Sequence, residues 1–135
     1  MGSSANNRSA TAKKDVAALM FRRYARLGLD RKEMKVFDAY RLIRGVSKSE
    51  NEALELLGVY DMMRLLSLTD NESAEAVRAV YFSGGGRTPK RNQTGMRVLR
   101  FATEHSCDER TVYRRLHAAK ELYYHLIINK FDKNT

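Results

Sequence analysis

Apolar residues recur at steps of three and four along most of this chain, and this spacing restricts the fold more than any other feature of the sequence. The clearest series is Val112, Leu116, Ala119, Tyr123 and Leu126. Steps of three and four place side chains on one face of an α-helix, whereas a strand face repeats every second residue. The 135 residues include one proline, and no segment alternates convincingly like a strand. The sequence therefore predicts an all-α fold, a helical bundle.

Six helices are expected, bounded by residues that favour helix ends. Their predicted starts are Thr11, Asp30 with Glu33 as its capping partner, Ser47 or Ser49, Asn71 or Ser73, Thr94, and Asp108. Their predicted ends lie near Gly28, Gly45, Leu68, Phe82, His105 and Asn129.

The same spacing predicts which side chains face inward. They are Val16, Leu19, Met20, Tyr24 and Leu27 in the first helix; Val36, Phe37, Tyr40 and Ile43 in the second; Ala76, Val77, Val80 and Tyr81 or Phe82 in the fourth; and Val98, Leu99 and Ala102 in the fifth. The third helix is apolar on more than one face, so we expect it to be buried in this chain or against a partner. An exposed apolar stripe on it would form a homodimer surface.

Three regions are predicted from the composition: a disordered tail at 1–12, an N-terminal helical region at 13–69 and a DNA-binding domain at 70–131. No apolar run approaches the roughly 20 residues that span a bilayer, and the N-terminus lacks the apolar stretch of a signal peptide. The single cysteine excludes a disulfide framework within the chain. These features predict a soluble cytoplasmic protein with no membrane partner.

The charge is basic and unevenly distributed. The net charge is +9, from 25 Lys and Arg against 16 Asp and Glu. Residues 1–35 and 83–135 are both strongly basic, whereas 36–82 is acidic. An excess of this kind favours a polyanionic partner, bound by the two ends of the chain. In the acidic centre, Glu52, Glu55 and Asp61 are interpreted as solvated faces or as patches that face RNA polymerase.

The strongest functional signal lies between Met96 and Leu122. Two predicted helices are joined there by His105, Ser106 and Cys107, a spacing typical of a helix-turn-helix. Ser106 stands where this turn often has glycine, so we expect mild backbone strain there. Cys107 is expected to fill the corner as an apolar residue. The second helix then carries the predicted DNA-binding residues on or near its outer surface: Arg110, Thr111, Tyr113, Arg114, Arg115 and His117.

A glycine-rich loop precedes this unit. Its sequence from Gly84 to Lys90 lacks the spacing of a phosphate-binding P-loop. It is either a plain linker or a mobile basic arm that places Arg87, Lys90 and Arg91 on DNA phosphates.

No catalytic or metal-binding constellation is predicted. His105 and Cys107 are close in sequence, but two candidate ligands do not make a site, and His117 and His125 have no partner at ligand spacing. No nucleophile and base are brought together by any spacing. We therefore expect neither an enzyme nor a cofactor.

The segment Asp108–Leu116 resembles the last helix of sigma-region-4-like domains. Together with Leu57–Leu66 and Glu75–Phe82, it is similar to the RinA/ArpU-type bacteriophage transcriptional regulators, over about Asn51–Ile128. The resemblance implies a DNA-binding activator of late phage genes for packaging and morphogenesis, acting in the host bacterial cytoplasm. Residues 1–50 match less clearly.

Two alternatives to a sequence-specific regulator remain. A DNA-packaging component such as a small terminase subunit would also be helical and basic, but would form a ring. A sigma-like factor would bind RNA polymerase directly through the acidic centre. The mass in solution separates the first alternative from a monomeric or dimeric regulator.

Overall fold

The computed structural model describes residues 16–133 except the side chain of residue 133, so the predicted tail 1–12 lies outside the described residues. The all-α prediction is confirmed, since this part of the chain contains no strand. The helices are α1 (16–26 as described), α2 (Val36–Val46), α3 (Glu50–Thr69), α4 (Asn71–Val77), α5 (Gln93–Glu104) and α6 (Glu109–Lys133). A π-helical turn, Arg78–Phe82, and a 3-10 turn, Ser83–Gly86, continue from α4.

The long helix α6 packs against α3 and α4. Its predicted inward face is confirmed at four positions, because Val112, Leu116, Ala119 and Tyr123 are buried, while Leu126 is half-buried. The α3 helix passes close to it: a Cβ at Gly58 would lie 2.4 Å from Cγ2 of Ile127. Helix α3 is buried on several faces, as predicted, but Leu65 and Leu68 are exposed.

Helix α1 joins the same core through Phe21. The ring of Phe21 makes edge contacts with Tyr81 at 5.6 Å and with Tyr123 at 5.4 Å between centroids. One hydrophobic core therefore contains residues from all six of the helices named above. The predicted boundary at residue 70 runs through this core.

Three predicted inward faces are partly wrong. On α1, Val16 and Leu19 are exposed and Phe21 is buried instead. The series Ala17, Phe21 and Tyr24 has the same helical spacing and faces the core, so Val16 and Leu19 point outward.

On two other helices as well, residues other than the predicted ones are buried. On α2, Ala39 and Ile43 are buried, whereas Val36 and Phe37 lie in the exposed first turn. On α5, Phe101 takes the buried position that was predicted for Leu99, which is 52% exposed. The buried residues of α1 are Ala17, Ala18, Met20, Phe21 and Tyr24. Those of α5 are Val98, Phe101 and Ala102.

Two predicted caps are wrong. Asp30 does not begin a helix, because residues 30–35 are not helical and its carboxylate accepts hydrogen bonds from Arg78 Nε at 3.0 and 3.1 Å. Thr94 lies inside α5, which follows Asn92 in a left-handed conformation without a side-chain cap. Ser49 caps α3, as one of the two predicted alternatives. Asp70, which was not predicted, caps α4.

Candidate nucleic-acid interface

Helices α5 and α6 are joined by a tight connection of four residues, 105–108. The N–H of Cys107 donates to Ala102 O at 3.0 Å, and the N–H of His105 donates to Phe101 O at 3.0 Å. Ser106 has a φ of +52°, so the predicted backbone strain is confirmed there. Cys107 is half-buried against the core, at the corner between the helices.

Asp108 caps α6, as predicted. Its Oδ1 accepts from the N–H of Thr111 at 2.8 Å and from the Thr111 hydroxyl at 3.1 Å. The backbone hydrogen bond, and then the hydroxyl, lower the pKa of Asp108 below its ordinary value. Because the hydroxyl proton of Thr111 is committed to this cap, the predicted contact between Thr111 and DNA is disfavoured.

The outer face of α6 is a stripe of cations and a histidine. Arg110, Arg114 and His117 are exposed, and their steps of four and three place them on one side of the helix. This side is opposite the buried face that contains Val112 and Ala119. His117 Nε2 lies 3.5 Å from Glu121 one turn further along. We call Arg110, Arg114 and His117 the outer stripe of α6.

The remaining predicted residues of α6 flank this stripe differently. Tyr113 is 49% exposed beside it. Arg115 is half-buried, and its guanidinium forms an ion pair with Glu72 of α4. Arg115 is therefore placed to fix α6 on α4, and its predicted contact with DNA would require this ion pair to open.

The loop before α5 carries the three predicted phosphate contacts. Arg87, Lys90 and Arg91 are all exposed. The loop is fixed at its second end by a reciprocal pair of hydrogen bonds, from Lys90 N–H to Gln93 Oε1 and from Gln93 N–H to Lys90 O, each 3.0 Å long.

The first end of this loop is fixed on α1. Gly86 is buried, and its carbonyl accepts from Arg26 Nε at 3.0 Å. A Cβ at Gly86 would lie 2.2 Å from Arg22 O. Of the two predicted alternatives, a mobile arm would therefore be limited to the residues between Gly86 and Lys90, and Arg91 lies outside it.

Sequence reasoning missed several cations at the junction of α1, α5 and α6. Arg97 Nη1 donates to Val80 O at 3.0 Å. Lys120 and Arg22 lie 5.0 and 5.5 Å from the centre of the Tyr81 ring. The helical spacing of α6 places Lys120 on the flank beside Tyr113, a signal that could have been used. No local signal indicates the other contacts, because they depend on how α1 and α5 pack.

The acidic side chains Glu52, Glu55 and Asp61 of the segment 36–82 are only partly exposed to solvent. Asp61 accepts from the Tyr40 hydroxyl at 2.7 Å and lies 2.5 Å from Lys130 Nζ. Burial lowers the pKa of Lys130, but the hydrogen bond and charge of Asp61 more than reverse this effect, so the net pKa is raised. Glu52 lies 3.8 Å from Arg23, and desolvation raises the pKa of the half-buried Glu55. The interpretation as a solvated face is therefore wrong for Asp61, whose carboxylate is paired, and a patch that faces RNA polymerase stays a prediction.

Among the described residues, His105 and Cys107 are not part of a larger cluster of candidate metal ligands. The ring of His105 stacks on Phe101 at 3.8 Å, and its Nδ1 lies 3.0 Å from Phe101 O. Between residues 16 and 133, no three His, Cys, Asp or Glu side chains are grouped as a metal site would require. In the same part of the chain, no helix is long and apolar enough to cross a membrane.

Comparison with protein-family models, with curated proteins and with solved structures found no match to this chain. Its function is therefore inferred from the geometry of α5, α6 and the loop before them.

Proposed function

We propose that this protein is a sequence-specific DNA-binding transcriptional regulator that inserts the N-terminal half of α6 into the major groove. The observation that carries the proposal is the outer stripe of α6, exposed directly opposite a fully buried apolar face. The short connection to α5 and the cap at Asp108 hold the start of α6 in a defined position. An α-helix fits the major groove of B-DNA, where each base pair presents a distinct pattern of donors and acceptors.

The roles divide according to exposure and chemistry. Arg110 and Arg114 lack a carboxylate partner within ion-pair distance among the described residues, so their guanidinium groups are available to pair bidentately with guanine. Tyr113 and His117 are at the margin of the groove, where phosphates lie. The cations of the loop, Arg87, Lys90 and Arg91, contact the phosphate backbone and supply affinity without sequence preference.

The regulatory role is part of the same proposal. The resemblance to RinA/ArpU-type regulators favours activation of late phage genes, with host RNA polymerase as a second partner. A homodimer would match two half-sites, and the exposed Leu65 and Leu68 at the end of α3 offer apolar surface for it.

The test begins with duplexes selected by the protein from a random-sequence pool. Affinity for the selected duplex is expected to fall by orders of magnitude between about 50 and 200 mM salt if about 6–10 phosphates are contacted. Arg110→Ala and Arg114→Ala are each expected to weaken binding by about 1–3 kcal/mol and to relax base preference at one position. Arg41→Ala removes an equal charge from α2 and is the matched control.

Two results would contradict the proposal: selection that enriches no sequence, or variants of the outer stripe that bind like Arg41→Ala. The mass in solution tests the packaging alternative, because a ring of many subunits would favour a small terminase subunit over a regulator.

A further inference from the structure

The segment Val80–Gly86 collects cations from helices that are distant in sequence. Arg97 of α5 is bound to the carbonyl of Val80, and Arg26 of α1 to the carbonyl of Gly86. Tyr81 lies between Val80 and Gly86 in sequence. Its ring is contacted by Arg22 of α1 and by Lys120 of α6. A short segment outside the outer stripe of α6 therefore organises a positively charged surface.

The partners of Arg26 and Arg97 orient these side chains without cancelling their charge. A carbonyl oxygen is neutral, so a hydrogen bond to it fixes the direction of a guanidinium group and leaves its positive charge. Within residues 16–133, no carboxylate lies within 4.0 Å of either group. Arg78 differs, since it is held by the carboxylates of Asp30 and Glu75.

The two oriented guanidinium groups are anchored on the same short loop. Arg97 Nη2 lies 3.4 Å from the position of a Cβ at Gly84, and Arg26 is bound to Gly86. The Cα atoms of Gly84 and Gly86 can be at most about 7.6 Å apart, two trans peptide units. The two anchor points on the loop therefore span no more than about two phosphates along one strand of a duplex. Arg87, exposed and next in sequence, continues the same series.

We propose that Arg26 and Arg97, with Arg87, form a second phosphate-binding surface, which contacts the DNA backbone flanking the base pairs read by α6. The inference rests on the proposed DNA binding and extends it to α1, which lies outside the predicted DNA-binding region. The absence of a side chain at Gly86 is what allows the loop to close on α1 and bring these cations together.

The experiment measures the salt dependence of binding to mixed-sequence duplexes of about 10 and about 20 bp, one and two helical turns. The full chain is compared with Arg26→Gln, Arg97→Gln, Arg114→Gln and the control Arg41→Gln. On the longer duplex, each of the first two variants is expected to reduce the salt slope by about 1. When the salt concentration rises fourfold, the affinity of the parent should then fall by a factor about four times larger than the affinity of either variant. On the shorter duplex, which has no flank, both variants are expected to bind like the control.

Arg26→Lys and Arg97→Lys separate charge from folding. They keep the charge, and each is expected to restore the parent slope, whereas loss of loop structure alone would leave the slope reduced. If Arg114→Gln weakens binding while Arg26→Gln and Arg97→Gln match Arg41→Gln on the longer duplex, the second surface is overturned and the proposed function stands. If the parent itself binds neither duplex in a salt-dependent way, both are overturned.

Discussion

Gly86 has a φ of +78°, and a Cβ there would lie 2.2 Å from the backbone oxygen of Arg22. Backbone atoms cannot move aside as the end of a flexible side chain can. Any larger residue must therefore adopt a strained conformation and also displace the loop from α1. Gly85 provides a close comparison: its φ is +70°, but among the described residues no atom beyond its chain neighbours lies within 4 Å of a Cβ there.

We predict that Gly85→Ala costs only the strain of the left-handed conformation, about 1–2 kcal/mol of unfolding free energy. Gly86→Ala is expected to cost about 1–3 kcal/mol more, because overpacking is added to the same strain. Urea unfolding of the two variants and the parent measures the difference. Equal costs for the two alanines would show that the loop does not rest on α1.

The ion-pair partners of individual side chains were the feature hardest to predict from the sequence. From its neighbours in sequence, Asp30 is predicted to be a cap, Asp61 a solvated or polymerase-facing acid, and Arg115 a DNA contact. Their partners are Arg78, Lys130 and Glu72, all more than 40 residues away. Such pairs follow from helix packing, which no local pattern contains. Ser106 and Asp108 were predictable, because a turn and a cap involve only residues nearby.

At the scale of elements, α6 is the helix on which the site depends. We predict that Leu116→Ala lowers the unfolding free energy by about 2–5 kcal/mol, because it leaves a cavity in the core. Leu99→Ala removes the same atoms from an exposed position on α5 and is expected to change stability by no more than about 0.5 kcal/mol. Chemical denaturation compares them. A Leu116→Ala protein that is as stable as Leu99→Ala would mean that the buried and outer faces of α6 are reversed.

The N-terminus of α6 is expected to depend on pH through its cap. Hydrogen bonds from Thr111 lower the pKa of Asp108 in the folded protein. The resulting stabilisation is complete above the pKa of the unfolded chain, about 3.9, and is lost as the pH falls through the lower folded value. Asp108→Asn keeps an acceptor but does not titrate. Melting temperatures from about pH 2 to 7 should therefore decline less steeply for Asp108→Asn than for the parent.

Asp38→Asn, at an exposed position in the first turn of α2, is the charge-matched control. If Asp108→Asn and Asp38→Asn show the same acid dependence as the parent, the carboxylate of Asp108 does not carry the cap.

Among the elements, the inward faces of α4 and α6 were predicted correctly, whereas those of α1, α2 and α5 were only partly right. The inward face of α6 follows from four well-spaced apolar residues, of which the last is aromatic. In α1 and α2, two overlapping series satisfy the same spacing, and the buried one includes a small residue, Ala17 or Ala39. A small side chain permits close helix packing, so the hydrophobicity of larger neighbours such as Phe37 does not decide the orientation.

At the scale of the whole molecule, the core joins the two regions that the sequence separated at residue 70. Phe21 of α1 contacts Tyr81 and Tyr123, and α6 lies along α3 through Gly58. The inward faces of α4 and α6 are therefore covered by α1 and α3. Without those helices, a large apolar surface of the predicted DNA-binding region would be exposed to water.

We therefore predict that the full chain unfolds in one cooperative transition and that a fragment of residues 70–135 does not fold alone. Far-ultraviolet circular dichroism follows the helices, and near-ultraviolet dichroism follows the tyrosines, since the chain has no tryptophan. Their midpoints should coincide in the full chain. Phe21→Ala should lower both midpoints together, because its ring packs on α6 as well as on the turn after α4. The expected loss of unfolding free energy is about 3–5 kcal/mol. Two separate transitions, or a fragment that melts cooperatively, would instead make 70–135 an autonomous domain, and α1 would then be dispensable for the position of α6.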